Sequence, residues 1–194
     1  MEQAWLIAGL GNPGKEYENT RHNAGFMVAA LLGEQWRASW KDDRRHRAEV
    51  ARVQHEDQPV ILCRPLTYMN ASGEAIGPLA AFYKVPPERV LVIVDDADLE
   101  FGLIRLRPDG RSGGHHGLES VEQHLGTQAY ARQRIGIGRG EQNARRITGH
   151  VLARFGRDER PRLERVLQKA SEQAVCWLRH GAREAMNQFN GRVD

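Results

Sequence analysis

Apolar positions along the chain follow two periods, and the switches between them mark out strands and helices. Residues 4–10 (AWLIAGL) form an apolar run closed by glycine and leucine, which predicts a buried strand. Residues 23–36 read as a helix, and residues 48–53 and 59–63 as two short strands. A second helix is predicted over 71–83 despite its glycines. Residues 90–94 (VLVIV) are an unbroken β-branched and leucine run, the composition of a central strand covered on both faces. In residues 103–107 (LIRLR) apolar residues alternate with arginine, which predicts a strand with one wet, basic face. Residues 118–125 read as a helix, and 131–137 as another alternating strand with Arg132 and Arg134 on one face. In the tail, Leu163, Val166, Leu167, Ala170, Ala174, Trp177 and Leu178 recur at helical spacing, and Pro161 suits the first turn of that helix. Strands alternating with helices predict an α/β domain with a mixed sheet.

Composition narrows the class. A chain of 194 residues is the size of one domain, so residues 1–194 are expected to fold as a single unit. At 40% hydrophobic and 27% charged residues it matches globular proteins and excludes a disordered or fibrous chain. No apolar run approaches the roughly 20 residues that span a bilayer, so no membrane association is expected. The N-terminus lacks the basic and apolar regions of a secretory signal, and the two cysteines, Cys63 and Cys176, suit a reducing compartment. A cytoplasmic location is the expectation.

Charge adds a second pattern. The net charge is only +3, but residues 1–97 carry 11 basic and 13 acidic side chains while residues 98–194 carry 17 and 12. Between residues 102 and 157 there are ten basic and four acidic residues, and arginine supplies 24 of the 28 cations in the chain. The planar arginine fork suits phosphate. A polyanion held by the C-terminal half, or a solvated arginine-rich surface, would each give this asymmetry.

Two glycine-rich segments resemble well-known motifs. Gly9-Leu-Gly11-Asn-Pro-Gly14 satisfies GxGxxG after a strand, the dinucleotide-binding fingerprint. That motif needs a helix to start inside the glycines, whereas the residues that follow are polar until Phe26. A tight loop presenting Asn12 fits better. Gly110-Arg-Ser112-Gly-Gly114 satisfies GxSxG, and Asp158 and His180 follow in hydrolase order. Here Pro108-Asp109 separates the motif from its strand, and Asp158 and His180 fall in or beside the tail helix, so a loop that approaches a substrate closely is preferred over a Ser112 nucleophile.

Residues with chemical capacity gather in the loops after the predicted strands: Asn12, His22, Asn23, Tyr68, Asn70, Asp95, Asp96, His115 and His116. In α/β sheets the carboxyl edge is where ligands bind. Asp95 and Asp96 end the VLVIV strand, and a histidine beside such a carboxylate is the minimal general-base pair. Asparagines supply donors and acceptors that do not titrate, suited to a water or a carbonyl oxygen. HxxEH and CxxC spacings are absent, and neither a metal nor a cofactor is expected.

Five segments in order, GLGNPGKEYENTRHNAG, RPLTYMNASG, VIVDDADLEFG, GRSGGHHGLESV and RQRIGIGRG, resemble bacterial-type peptidyl-tRNA hydrolase. The resemblance runs from residue 6 to about residue 155. It implies a single α/β domain with a twisted mixed sheet surrounded by helices. It also implies hydrolysis of the ester between a peptide and the terminal ribose of tRNA, with peptidyl-tRNA as the partner and a monomeric protein. It makes His22 the base that activates water, Asp95 the carboxylate that orients it, and Asn12 and Asn70 the groups that place the substrate and the oxyanion. Tyr17, Tyr68 and Met69 would line the same cleft, with His115 and His116 as further substrate contacts, and Arg107 and Arg134 would clamp a tRNA phosphate. The chain departs from the family pattern at His116, where asparagine is usual, at Val94, where histidine often stands, and at Glu100-Phe101 in place of prolines. An RNA-binding homologue that does not cut, and a serine hydrolase using Ser112, are the alternative readings.

Overall fold

A computed structural model describes residues 3–139 and 147–193. Gly140, which closes the RQRIGIGRG segment, and Arg145 and Arg146 of the basic stretch lie outside the described residues. Among the described residues eight strands form one sheet in the order β2-β3-β4-β1-β5-β7-β6-β8. They are β1 (Trp5–Gly9), β2 (Lys41–Asp43), β3 (Ala48–His55), β4 (Gln58–Pro65), β5 (Val90–Asp96), β6 (Leu103–Arg107), β7 (Ala131–Gly136) and β8 (Gly191–Arg192). Strands β4, β1, β5 and β7 are mutually parallel, and the outer pairings are antiparallel, as a mixed sheet requires. The helices are α1 (Ala24–Gln35), α2 (Gly73–Phe82), α3 (His116–Leu125), α4 (Ile147–Val151) and α5 (Arg160–Phe189). The single α/β domain with a mixed sheet is the architecture expected.

The period of two within the central strands sorts their side chains between two cores. Ile7 of β1 and Leu91 and Ile93 of β5 pack with α1 and α5. Leu6, Ala8, Val90, Val92 and Val94 pack with α2 and α3 on the opposite face. The tail helix starts near Pro161 as predicted and runs on to Phe189, broken at Gly181, whose φ of 81° no L-residue adopts readily. Two edge strands, β2 and β8, have no apolar pattern and so carry no strand signal in the sequence.

One close contact sets the position of α1. A side chain on Gly9 would lie 2.1 Å from the Gly25 carbonyl oxygen, and one on Gly25 would lie 2.2 Å from that of Ile93. Only glycine at both positions lets the start of α1 rest on the ends of β1 and β5. The Phe26 amide then donates to the Leu10 carbonyl at 3.1 Å. The GxGxxG match is therefore a packing device, with α1 beginning only at Ala24, beyond the loop and a short 3₁₀ turn over Arg21–Asn23.

Candidate active site

The carboxyl ends of the parallel strands surround a cleft of about 750 Å³. Its lining includes Asn12, His22, Tyr68, Met69, Asn70, Asp95, His115 and His116, which sequence reasoning named from four separate segments. Asp96, Ala97, Asp98, Gly113, Gly114, Arg134, Arg139, Thr148, Val151 and Leu152 complete the wall. The side of that wall formed by Thr148, Val151 and Leu152 has no signature in the sequence.

Asp95 is the centre of the cluster and is 2% exposed. His22 Nδ1 lies 2.8 Å from Asp95 Oδ1, and His115 Nε2 lies 3.2 Å from the same oxygen. The Leu118 amide donates to His115 Nδ1 at 3.3 Å, capping α3, so that nitrogen is an acceptor and the Nε2 proton faces Asp95. Burial pushes the Asp95 carboxyl up, but the hydrogen bonds from His115 and His22 outweigh it and hold the group below the usual carboxylate range. An ionised Asp95 accepts from His22 Nδ1, which leaves His22 Nε2 as a free base at the cleft. The three donor atoms also lie within 4.8 Å of one another, a spacing a metal ion could use. Hydrogen bonding accounts for each of those contacts.

Asn12 is fixed from three sides. Its amide donates to Asn23 Oδ1 at 2.9 Å, its carbonyl accepts from Asn23 Nδ2 at 3.0 Å, and its Oδ1 accepts from the Met69 amide at 2.8 Å. With Oδ1 occupied, Nδ2 is the group left to donate into the cleft, as an oxyanion or carbonyl contact requires. Asn23, in the resembling segment but assigned no role, is the residue that locks it. Asn70 is exposed where it lines the cleft, and Tyr68 beside it is 61% exposed. Tyr17 stands one layer back, edge-on to Tyr68 with ring centroids 6.4 Å apart, so it braces the cleft wall and is not part of its lining.

Arg21, next to His22, forms a two-point ion pair with Glu159 at 3.1 and 2.8 Å. Its amide donates to the Ala153 carbonyl at 2.9 Å. Burial raises the Glu159 carboxyl and the Arg21 contacts more than reverse that, leaving it below its usual range. The turn carrying His22 is thus tied to the segment ahead of α5.

His116, at the site of the family departure, is largely exposed, and its Nδ1 lies 3.0 Å from Glu119 Oε2. Ser112 is buried, and its Oγ accepts from the Gly114 amide at 3.2 Å. No histidine ring among the described residues hydrogen-bonds Ser112 Oγ, which is the arrangement of a loop residue and not of a nucleophile.

The arginines divide. On β6 Arg105 and Arg107 are exposed, the wet basic face expected of that strand, and neither forms an ion pair among the described residues. On β7 the alternation holds, but its face is covered. Arg132 is 1% exposed, paired with Glu122 at 3.2 Å and stacked over the Tyr130 ring at 4.2 Å. Arg134 is mostly buried against Asp96 and the carbonyls of Arg111 and Ser112. Arg132 is thus withdrawn from the surface, while Arg134 keeps a narrow exposure on the cleft wall.

Comparisons with known proteins agree on one relationship. The family described as Peptidyl-tRNA hydrolase matches residues 6–194. A "Peptidyl-tRNA hydrolase" of Bifidobacterium longum is 42% identical over 97% of this chain and 98% of its own length. One from Akkermansia muciniphila is 44% identical over 95% of each chain. The crystal structure of peptidyl-tRNA hydrolase from Acinetobacter baumannii superposes with a TM-score of 0.92 at 36% identity, covering 100% of this chain and 97% of that one.

Proposed function

The chain belongs to the peptidyl-tRNA hydrolase family, and from that premise we propose that it hydrolyses the ester joining a peptide to the terminal ribose of tRNA. The observation that carries the mechanism is the His22–Asp95 contact at 2.8 Å at the base of the cleft. His22 Nε2 takes a proton from water as the water oxygen attacks the ester carbonyl. Asp95 stabilises the imidazolium that forms. Asn12 Nδ2 donates to the carbonyl oxygen as negative charge develops on it, and Asn70 holds the substrate. Collapse of the tetrahedral adduct breaks the carbon–oxygen bond to ribose. The imidazolium returns its proton to the departing ribose oxygen, giving a free carboxylic acid and tRNA. A positioned base contributes about 10²–10⁴-fold and an oxyanion donor about 3 kcal/mol.

Tyr68 and Met69 line the peptide's approach, with His115 and His116 bordering the same cleft. Arg107 is the exposed cation we assign to a tRNA phosphate. Directly opposite residues pair Arg107 with Arg132, and Arg132 with Val92, three residues short of Asp95. Three residues along the strand and two strand spacings put Arg107 about 14 Å from Asp95, a distance for holding the nucleic acid and not for chemistry.

We also expect a substrate preference from the cleft. A peptidyl ester presents a neutral amide to the asparagines, while an aminoacyl ester presents an ammonium whose burial unpaired costs several kcal/mol. We take the protein to act as a monomer in the cytoplasm; no helix among the described residues is long and apolar enough to cross a membrane. Incubating the full chain with N-acetylaminoacyl-tRNA and with unblocked aminoacyl-tRNA tests the reading. Release of the acetylated residue with sparing of the free one is expected; tRNA binding without release from either would favour a non-cutting homologue.

A further inference from the structure

The short turn that carries His22 makes a different long-range tie at each of its three residues. His22 meets Asp95 at 2.8 Å. Asn23 holds the Asn12 backbone at two points, 2.9 and 3.0 Å away. Arg21 is tied to the segment ahead of α5 and does not line the cleft. Its Nη1 and Nη2 donate to Glu159 Oε1 and Oε2 at 3.1 and 2.8 Å, and its guanidinium lies over the Phe155 ring, 4.7 Å from the centroid. The Arg21 amide donates to the Ala153 carbonyl at 2.9 Å, and Thr20 pairs with Arg154 in an antiparallel bridge.

The turn has little stiffness of its own. It is a single 3₁₀ turn with no side-chain cap, because the Thr20 hydroxyl is spent on the Tyr17 carbonyl at 2.8 Å. Its partner is better fixed. Glu159 stands at the start of the long α5, and its Oε2 also accepts from the Gly156 amide at 2.6 Å. The pair is mostly buried, with the two side chains 11% and 25% exposed, so solvent screens it less than a surface ion pair. Asp95 fixes one nitrogen of the His22 ring but not the path of the backbone beneath it. That path is set by the neighbours of His22 in the turn.

We propose that Arg21, anchored by Glu159, is a positioning residue for hydrolysis: it braces the 21–23 turn against the 153–159 segment and so sets His22 and Asn12 together. This rests on the hydrolase reading above. The brace also joins the base to the cleft wall, because residues 153–156 run on directly from Thr148, Val151 and Leu152. A two-pronged, flat cation is what the role requires. A lysine at 21 would keep the charge, but it offers a point donor that cannot span both carboxylate oxygens or lie flat on Phe155.

The experiment measures kcat and KM on N-acetylaminoacyl-tRNA for the full chain and its variants, well below the melting temperature of each. Arg21→Lys is expected to lower kcat about 10- to 100-fold with little change in KM, the loss that follows from misplacing a catalytic group. Glu159→Gln keeps the size and one acceptor, so a smaller loss of about 3- to 10-fold in kcat is expected. The Arg21→Lys/Glu159→Gln double variant should lose no more than Arg21→Lys alone, since both open one contact. The His22 ring NMR signals should move in all three. An ion pair that only holds the fold together predicts a lower melting temperature with unchanged kcat and unmoved His22 signals. A phosphate contact at Arg21 predicts a raised KM with unchanged kcat. Either result overturns the proposal. Should Arg21→Lys not fold, the kcat and ring signals of Glu159→Gln decide the same question. Absence of turnover by the wild-type protein would instead overturn the hydrolase reading, and the His22 signals of Glu159→Gln would still test the brace.

Discussion

On the face of the sheet that carries α3, Arg132 and Arg134 of β7 lie directly beside Arg107 and Arg105 of β6, yet the two pairs share no kind of contact. The β7 pair is enclosed, with Glu122, Asp96 and backbone carbonyls around it. The β6 pair stands in solvent with no ion-pair partner among the described residues. Cross-strand register gives the four a common face, and the cover supplied by α3 and its preceding loop ends between the strands. Charge that a sequence counts is thus not the same as charge that a nucleic acid can meet. The β7 pair is held within the framework around the site, and the β6 pair is the one a polyanion could reach.

The largest break between these regions should come from the buried side of the site. Asp95→Asn is expected to lower kcat about 10³–10⁴-fold with little change in KM, because the amide presents a donor to His22 Nδ1 and selects the wrong tautomer. The same variant sharpens the pH behaviour of folding. A carboxyl held below its ordinary value of 3.8 contributes stability that is present above that pH and lost as the pH falls through its folded value. The wild-type melting temperature should therefore fall more steeply below about pH 4 than that of Asp95→Asn.

Next comes the captive arginine. Arg132→Leu leaves Glu122 without its partner and should cost about 3 kcal/mol of stability in thermal or urea unfolding, with the salt dependence of tRNA binding unmoved. Arg107→Ala should do the reverse. It should weaken tRNA binding about tenfold and reduce the slope of log affinity against log salt by about 0.7–0.9, the share of one phosphate contact. A salt slope changed by Arg132→Leu and not by Arg107→Ala would invert the comparison. The smallest effect belongs to His116→Asn, which restores the family residue but exchanges only an exposed contact with Glu119. It should change kcat/KM by less than about fivefold at neutral pH.

The long elements were legible because each carries a period: VLVIV became β5, and the Leu163–Leu178 series became the core-facing side of α5. Strands β2 (KDD) and β8 (GR) carry none, and only pairing with β3 and β6 makes them strands. Of the site, the segments that meet were readable, since Asn12, His22, Asp95 and His115 all follow strands or precede helices at one edge. The ties among them were not. Alternation places Arg132 and Arg134 on one face but says nothing of what covers that face, and Glu122 and Asp96 are distant in sequence. Likewise the spacing of Gly9 and Gly25 reveals no contact until α1 is laid on β1, so a packing requirement reads as a nucleotide motif.

The measurement that bears most directly on the account is single-turnover deacylation of saturating N-acetylaminoacyl-tRNA by wild type and His22→Ala, with tRNA affinity measured alongside. A general base at His22 requires a rate about 10²–10⁴-fold lower for His22→Ala at nearly unchanged affinity. Equal rates for the two proteins would contradict it.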